Sequence, residues 1–358
     1  MKKKSILSVF ILAVFYYLII SLYSCTKDNN PIIPPPPPPV HPDTADKYVW
    51  AGYNTVIDLM NIYVADTDKI YVIGNFWLAQ FDGQYLVPYN LNDLQFNATY
   101  VYGYDKNNIF VEGFYYKNGL RYPELKKITN GAITSYNIGT ISDVLHDMLV
   151  VGPNQVWISD SYFSKVYYFN NGSIKEYTLS TTDSLVYQFF YMDKNNDLYI
   201  FAIKTSNQIN GDFYTYKLIN DNFVLQSTEC FGYDPCLSPR LFRCGSDILM
   251  STTGLSKLKY FNGNEWISHS DSDYVAAQAS RIGGVSKDSL IMINGGGVIF
   301  TYGLNYWRKE KYAPSLEGSP NLYSFNAEMK FGNVYIAYWG HDHSTLLIGK
   351  ANKNTKNK

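Results

Sequence analysis

The sequence predicts an all-β fold, a seven-bladed β-propeller of four-stranded antiparallel blades, with six or eight blades as the alternatives. Three observations point there. A hairpin signal, apolar alternation around an Asn-Gly-like turn, recurs as "AQFDGQYLVPY" (Ala79 to Tyr89), "LKKITNGAITSY" (Leu125 to Tyr136), "VYYFNNGSIKEY" (Val166 to Tyr177) and "LKYFNGNEW" (Leu258 to Trp266). A second signal, a polar turn followed by a short β-rich run, occurs seven times, from "DTDKIYVIG" (Asp66 to Gly74) to "FGNVYIAYW" (Phe331 to Trp339). Its anchors, Ile70, Ile109, Val156, Leu198, Ile248, Leu290 and Val334, lie 39 to 50 residues apart, about 44 on average, the length of four short strands. Composition agrees, since aromatic residues reach 17% and suit a pleated, half-buried surface.

Residues 1–24 precede the fold. Lys2, Lys3 and Lys4 stand before a short apolar run from Ile6 to Ile20, the charge and length pattern of a secretory signal peptide. "LYSC" (Leu22 to Cys25) resembles the lipobox of bacterial lipoproteins, which implies that Cys25 becomes the lipidated (palmitate-bearing) first residue and anchors the chain in a bilayer. Lys27 and Asp28 are similar to the surface-export signal of some Gram-negative lipoproteins. This resemblance implies the outer membrane, with the outer leaflet or the periplasmic face as the two orientations.

Residues 25–47 form a linker containing "PIIPPPPPPVHP" (Pro31 to Pro42). Proline holds this stretch in polyproline II, a stiff spacer of roughly 35 to 40 Å. The propeller is expected over residues 48–352, and a polar tail over 353–358. Six repeats carry a turn into a fourth strand, at Gly83, Gly131, Gly172, Asn222, Gly263 and Gly303. The seventh ends at "STLLIGKAN" (Ser344 to Asn352) without one. "YVWAGY" (Tyr48 to Tyr53) precedes the first repeat and has no sheet of its own, so it is expected to be the missing outer strand that closes the ring.

The blade "NQVWISDSYFSKVYYFNNGSIKEY" (Asn154 to Tyr177) resembles those of the two-component-regulator propellers, as a degenerate repeat covering the chain from about residue 48. The Gly-Thr that follows the strand in that family is mostly missing, and no histidine kinase follows. The resemblance therefore implies sensing or binding and not a signalling enzyme.

In a propeller the turns joining strands one to two and three to four share one face, here called the turn face. Connections from strand two to three, and from blade to blade, share the opposite loop face. Short Asp/Asn/Gly turns on the first are accounted for by hairpin geometry. Loops on the second are longer in blades two and four, and aromatic. The candidate ligand-binding residues are Trp77, Tyr115, Tyr116, Asp160, Tyr162, Phe163, Trp339 and His341, since exposed rings beside Asn and Asp suit sugars or protein partners.

Other chemistry is sparse. A net charge of -1 excludes a basic footprint for nucleic acid. His341 and His343 lack an identifiable third metal ligand, and "DKNND" (Asp193 to Asp197) lacks the later Gly and Glu of a calcium loop. No catalytic residue or cofactor is assigned. Cys230 and Cys236, in "CFGYDPC", are a candidate disulfide, which leaves Cys244 as a buried thiol. The expected function is that of a monomeric cell-envelope lipoprotein binding a glycan or an envelope protein. The alternative is a glycoside hydrolase or polysaccharide lyase on the same scaffold, with Asp160, Asp212 and Asp342 as the acids nearest the aromatic mouth.

Overall fold

The computed structural model describes residues 48–55, 58–74, 76–93, 95–139, 145–160, 165–179, 185–204, 212–230, 239–245, 247–252, 258–269, 279–294, 298–303, 306–310, 324–339 and 344–351. These residues hold 28 strands in seven four-stranded antiparallel sheets. A single strand, β1 (Tyr48–Thr55), comes first. Blade 1 follows with β2 (Leu59–Asp66), β3 (Lys69–Gly74), β4 (Trp77–Phe81) and β5 (Leu86–Pro88). Blade 2 has β6 (Asn97–Asp105), β7 (Asn108–Lys117), β8 (Leu120–Thr129) and β9 (Ala132–Asn137). Blade 3 has β10 (Leu145–Gly152), β11 (Gln155–Asp160), β12 (Lys165–Asn170) and β13 (Ser173–Thr178). Blade 4 has β14 (Leu185–Met192), β15 (Leu198–Lys204), β16 (Asp212–Ile219) and β17 (Asn222–Cys230). Blade 5 has β18 (Pro239–Cys244), β19 (Asp247–Thr252), β20 (Leu258–Phe261) and β21 (Trp266–Ser268). Blade 6 has β22 (Ala279–Ser286), β23 (Ser289–Asn294), β24 (Ile299–Gly303) and β25 (Tyr306–Lys309). Blade 7 has β26 (Ser324–Lys330), β27 (Asn333–Trp339) and β28 (Ser344–Ala351).

The seven-bladed propeller expected from the repeat is therefore the fold, and all seven anchors lie in the second strand of their blades. Blade 7 has the order β1-β28-β27-β26, with Tyr48 opposite Ala351 and Thr55 opposite Ser344. The first strand thus closes the ring as its sequence position implied. Two turns differ from the expectation, and in one of them Gly303 is the last residue of β24, paired with Tyr306, so the turn lies beyond it. In the other, Ile219 pairs with Asn222, so the β16–β17 turn is Asn220-Asp221, both at positive φ, and Asn222 opens the strand.

Seven apolar clusters, one between each pair of neighbouring blades, form the core. Tyr71, Ile73, Val101 and Val111 join blades 1 and 2; Phe110, Val156 and Phe169 join blades 2 and 3; Tyr335, Leu346, Ile62 and Val72 join blades 7 and 1. Aromatic abundance has its explanation here, because flat sheets splayed around an axis leave wedges that large rings fill. Trp157, stacked on Tyr168 and edge-on to Phe223, fills the wedge between blades 3 and 4. Cys244 is buried between blades 5 and 6, as expected, and burial pushes its thiol well up.

Polar links complement these wedges near the axis. Asn61 Oδ1 accepts the Val101 N–H at 2.9 Å, Asp147 Oδ2 the Phe190 N–H at 2.9 Å, and Glu328 Oε2 the Val64 N–H at 2.7 Å. Each is a side chain of one innermost strand capping a backbone donor of the next. Bulges make room for two of them: Met60 and His146 are extra residues directly before Asn61 and Asp147. No helix among the described residues is long and apolar enough to cross a membrane.

Candidate functional site

At the loop face of blades 1 and 2, exposed Phe76, Trp77 and Tyr116 accompany a projecting element, while Tyr85, Tyr104 and Phe331 are the exposed aromatic residues of the turn face. β7 and β8 are ten residues each, against six or seven for the other second strands and four to eight for the other third strands. Asn118 and Gly119, at φ 54° and 76°, form the two-residue turn that lets their pairing run on. The "FYYKNGLRY" insertion, expected as a loop, is thus a β-hairpin in register from Phe114 opposite Pro123 to Lys117 opposite Leu120. The Asn-Gly pair was its signal in the sequence.

Alternation divides the hairpin into two faces. Tyr115 and Tyr122 are directly opposite and stacked, with centroids 5.3 Å apart and planes at 9°. On the other face, Phe114 meets Tyr116 edge-on at 5.4 Å, and the Arg121 guanidinium lies 3.8 Å above the Phe114 ring. Phe76, from the β3–β4 turn of blade 1, adds its ring to Phe114 at 6.3 Å. Its carbonyl accepts the Ala98 N–H of β6 at 2.7 Å, so the two blades are joined by backbone and by ring. Sequence reasoning singled out Trp77 but not this joint. Phe76 sits at φ 63°, a left-handed conformation that a bulky side chain rarely adopts, and no pattern of residue types announces it.

Trp77 and Tyr116 are each 59% exposed, and Phe76 and Leu120 are also exposed. Tyr115 is half-buried. Asp160, expected beside these rings, is instead fully buried at the end of β11 opposite Leu145. The four residues before it, Val156 to Ser159, are buried as well. Tyr162, Phe163, His341, Asp342, Cys236 and Cys25 lie outside the described residues, as do the side chains of Trp339, Asp212 and Cys230.

The hairpin tip carries exposed Lys117 and, opposite Tyr116, half-buried Arg121, while charge below it is buried. Glu112, directly below the hairpin, is wholly buried, and burial pushes its carboxyl up to about 8. The Thr99 hydroxyl lies 3.2 Å from Glu112 Oε1. Lys126, also buried, pairs with Glu124 at 2.6 Å and Asp93 at 3.6 Å, and donates to Ser135 Oγ at 3.0 Å. Further toward the axis, Arg243 of blade 5 reaches Asp147 of blade 3 at 2.6 Å, and Nε donates to the Phe190 carbonyl of blade 4 at 3.2 Å. Its guanidinium also lies 4.6 Å from the Phe189 ring.

The turn face combines hairpin chemistry with the exposed rings of Tyr85, Tyr104 and Phe331. Asn130-Gly131 and Asn171-Gly172 carry positive φ, and Asn262 Oδ1 accepts the N–H groups of Asn264 and Glu265. A shallow groove of about 400 Å³ lies at the outer edge of blades 3 and 4, where Lys175 and Tyr177 both bind Asp221.

No protein-family model and no curated protein sequence matches the chain. Its fold is similar to virginiamycin B lyase from Staphylococcus aureus, at 13% identity and TM-score 0.57 over 84% of this chain and 99% of that one. YCF48 from Cyanidioschyzon merolae is similar at 15% identity and TM-score 0.58, over 86% and 99%. The extracellular domain of the hybrid two-component system BT3049 from B. thetaiotaomicron matches at 14% identity and TM-score 0.55, covering 84% of this chain and 42% of that one. These likenesses show the propeller fold, on which unrelated chemistries occur. One of the neighbours is the extracellular propeller of a two-component system, the kind of propeller that the blade sequence resembles.

Proposed function

We propose that this chain is a cell-envelope lipoprotein, anchored at Cys25 in the outer membrane, whose propeller is a non-catalytic module that binds a glycan or an envelope protein through its loop face. The observation that carries the reading is exposed Tyr116 on a hairpin braced through Phe114 by Phe76 of the neighbouring blade, with Trp77 also exposed on that blade. Large rings held rigidly at a surface lose little entropy on binding, which is why such residues dominate interfaces. Among the described acids of blades 2 and 3, Glu112, Asp147 and Asp160 are buried, and partly exposed Asp93 pairs with Lys126.

The lipoprotein part is supported by the charged and apolar pattern before "LYSC" and by the proline spacer after it.

Metabolic labelling with an alkyne fatty acid, followed by fractionation, tests the anchor. Cys25→Ala is expected to abolish both the label and the membrane partition, and unchanged labelling would refute it. For the binding role, the protein purified from membranes is immobilised and offered a detergent-solubilised envelope extract. Retention of polysaccharide or protein that falls in Trp77→Ala and Tyr116→Ala is expected, and equal retention by all three forms would show the loop face to be the wrong surface.

A further inference from the structure

We propose that β1 is a dimerisation edge: the outer strand of blade 7 pairs antiparallel with β1 of a second copy of this chain, about a two-fold axis through Ala51. Such a dimer replaces the monomer expected from the sequence. It lies at the outer rim of the propeller and does not depend on any ligand of the loop face.

An open sheet edge is a template for further pairing, and proteins block it by brevity, proline, charge or a bulge. The other outer strands use these devices. β5 and β21 are three residues long, and β5 ends in Pro88. β13 carries Lys175 and Glu176, and β25 carries Arg308 and Lys309. β17 has nine residues but is interrupted by a bulge at Gln226 and carries Glu229. β9 is uncharged, yet it has six residues against eight for β1, and it exposes only Ala132, Thr134, Ser135 and Asn137, which are small or polar. β1 differs from them all. Its sequence, "YVWAGYNT", holds no charge and no proline, and its register on β28 runs unbroken from Tyr48 to Thr55. Its other side pairs with no strand among the described residues.

The large side chains of β1 leave that side clear. Tyr48 is buried between blades 6 and 7, and Trp50 lies over Gly349 of β28, where an added Cβ would stand 2.8 Å from its ring. Tyr53 packs edge-on to Phe81 of blade 1 at 4.6 Å. What remains exposed is Val49, at 61%, with Ala51, Gly52 and Asn54.

The strand's own chemistry selects a second copy as the occupant. A two-fold axis lays a strand on itself, so a charged residue at its centre would face its own counterpart, and β1 has none. With Ala51 opposite its counterpart, Val49 falls opposite Tyr53 and Trp50 opposite Gly52, twice each by symmetry. Val49 then gains the β-branched-to-aromatic contact that stabilises antiparallel pairs, and the small residues at the centre let the two backbones meet. One strand pair is a small interface, so the dimer is expected to be a weak one.

Sedimentation velocity of the full chain, from about 1 to 200 µM, is the test. A reversible monomer–dimer equilibrium is expected, without larger species, because the two-fold pairing consumes the one open edge of each copy. Ala51→Lys sets like charges opposite each other and should weaken association tenfold or more, with an unchanged unfolding midpoint because the position is exposed. Thr134→Lys, on β9, should associate as the native chain does. Cysteine substitution fixes the geometry. Under mild oxidation Ala51→Cys should add a disulfide-linked dimer to whatever the native chain shows, whereas Val49→Cys and Asn54→Cys, whose counterparts lie about 14 and 20 Å away in this register, should not. If Ala51→Lys fails to fold, this crosslink decides. Monomer throughout the range overturns the pairing, as does a dimer indifferent to Ala51→Lys or crosslinking equal at all three positions. Loss of the dimer in Thr134→Lys alone would move the interface to β9, and a monomer whose Ala51→Cys form couples to another protein would give the edge a different occupant; either result overturns the self-pairing.

Discussion

Arg243 on blade 5 and Asp147 on blade 3 meet at 2.6 Å beside the axis, two blades apart and 96 residues distant in sequence. Asp147 also caps the Phe190 N–H of blade 4, so one ion pair fixes three consecutive innermost strands. Both partners are largely desolvated, at 19% and 5% side-chain exposure.

Removing the cation alone should therefore be costly. Arg243→Ala leaves the Asp147 carboxylate buried without its charge partner, and a loss of about 3 kcal/mol is expected. Adding Asp147→Asn, which still caps Phe190, should recover part of it. Urea unfolding of the two single variants and the double variant measures the coupling, and strict additivity would show that the pair does not act as a unit.

Glu112 gives the fold a pH dependence of definite sign. Its carboxyl is raised from an ordinary 4.5 to about 8 by burial, so between these values the folded chain holds a proton that the unfolded chain releases. The contribution is fully present below about 4.5 and is lost as pH rises toward 8, at up to about 1.4 kcal/mol per pH unit. Glu328, raised by burial to about 7, acts in the same direction over a narrower window. In Glu112→Gln the decline in stability between pH 5 and 8 should flatten. An unchanged slope in chemical unfolding across that range would assign the dependence elsewhere.

Phe331 stands at φ 54° in the β26–β27 turn before Gly332, half exposed, where Asn is favoured. Phe331→Asn relieves a left-handed penalty of about 1 kcal/mol, and its ring has little burial to forfeit. A raised thermal midpoint is expected. A lowered one would mean that the ring contributes more through its contact with Lys330 than the backbone loses.

Deleting Tyr48 to Thr55 exposes the edge of β28 and takes Tyr48 and Trp50 from the wedge between blades 6 and 7. Loss of cooperative unfolding, or aggregation, is expected. Deletion of Thr26 to Pro39 should leave the thermal midpoint unchanged, and similar behaviour of the two forms would contradict the closure role.

The architecture was legible because it is local and periodic. Ile70 through Val334 mark second strands by alternation that needs no knowledge of distant residues. The site was only partly legible. The Asn118-Gly119 turn was visible, yet the flanking aromatic run resembled loop and strand alike, so its pairing from Phe114 to Pro123 was not. Asp160 was misplaced because whether a strand-end carboxylate faces solvent or a neighbouring blade depends on the inter-blade wedge. Arg243, Asp147 and Glu112 gave no local signal at all. Their partners come from other blades or from burial itself.

The pairing of β1 with β28 also sets an order of events. Asn54 receives the Thr345 hydroxyl hydrogen bond across 291 residues, and Val64 meets Glu328 and Lys330 across more than 260. Six blades can form from neighbouring hairpins as the chain is made, but the seventh waits for nearly the whole polypeptide. Until then β1 is an unpaired edge, so the nascent chain is most prone to mispairing at its beginning and completes its ring last.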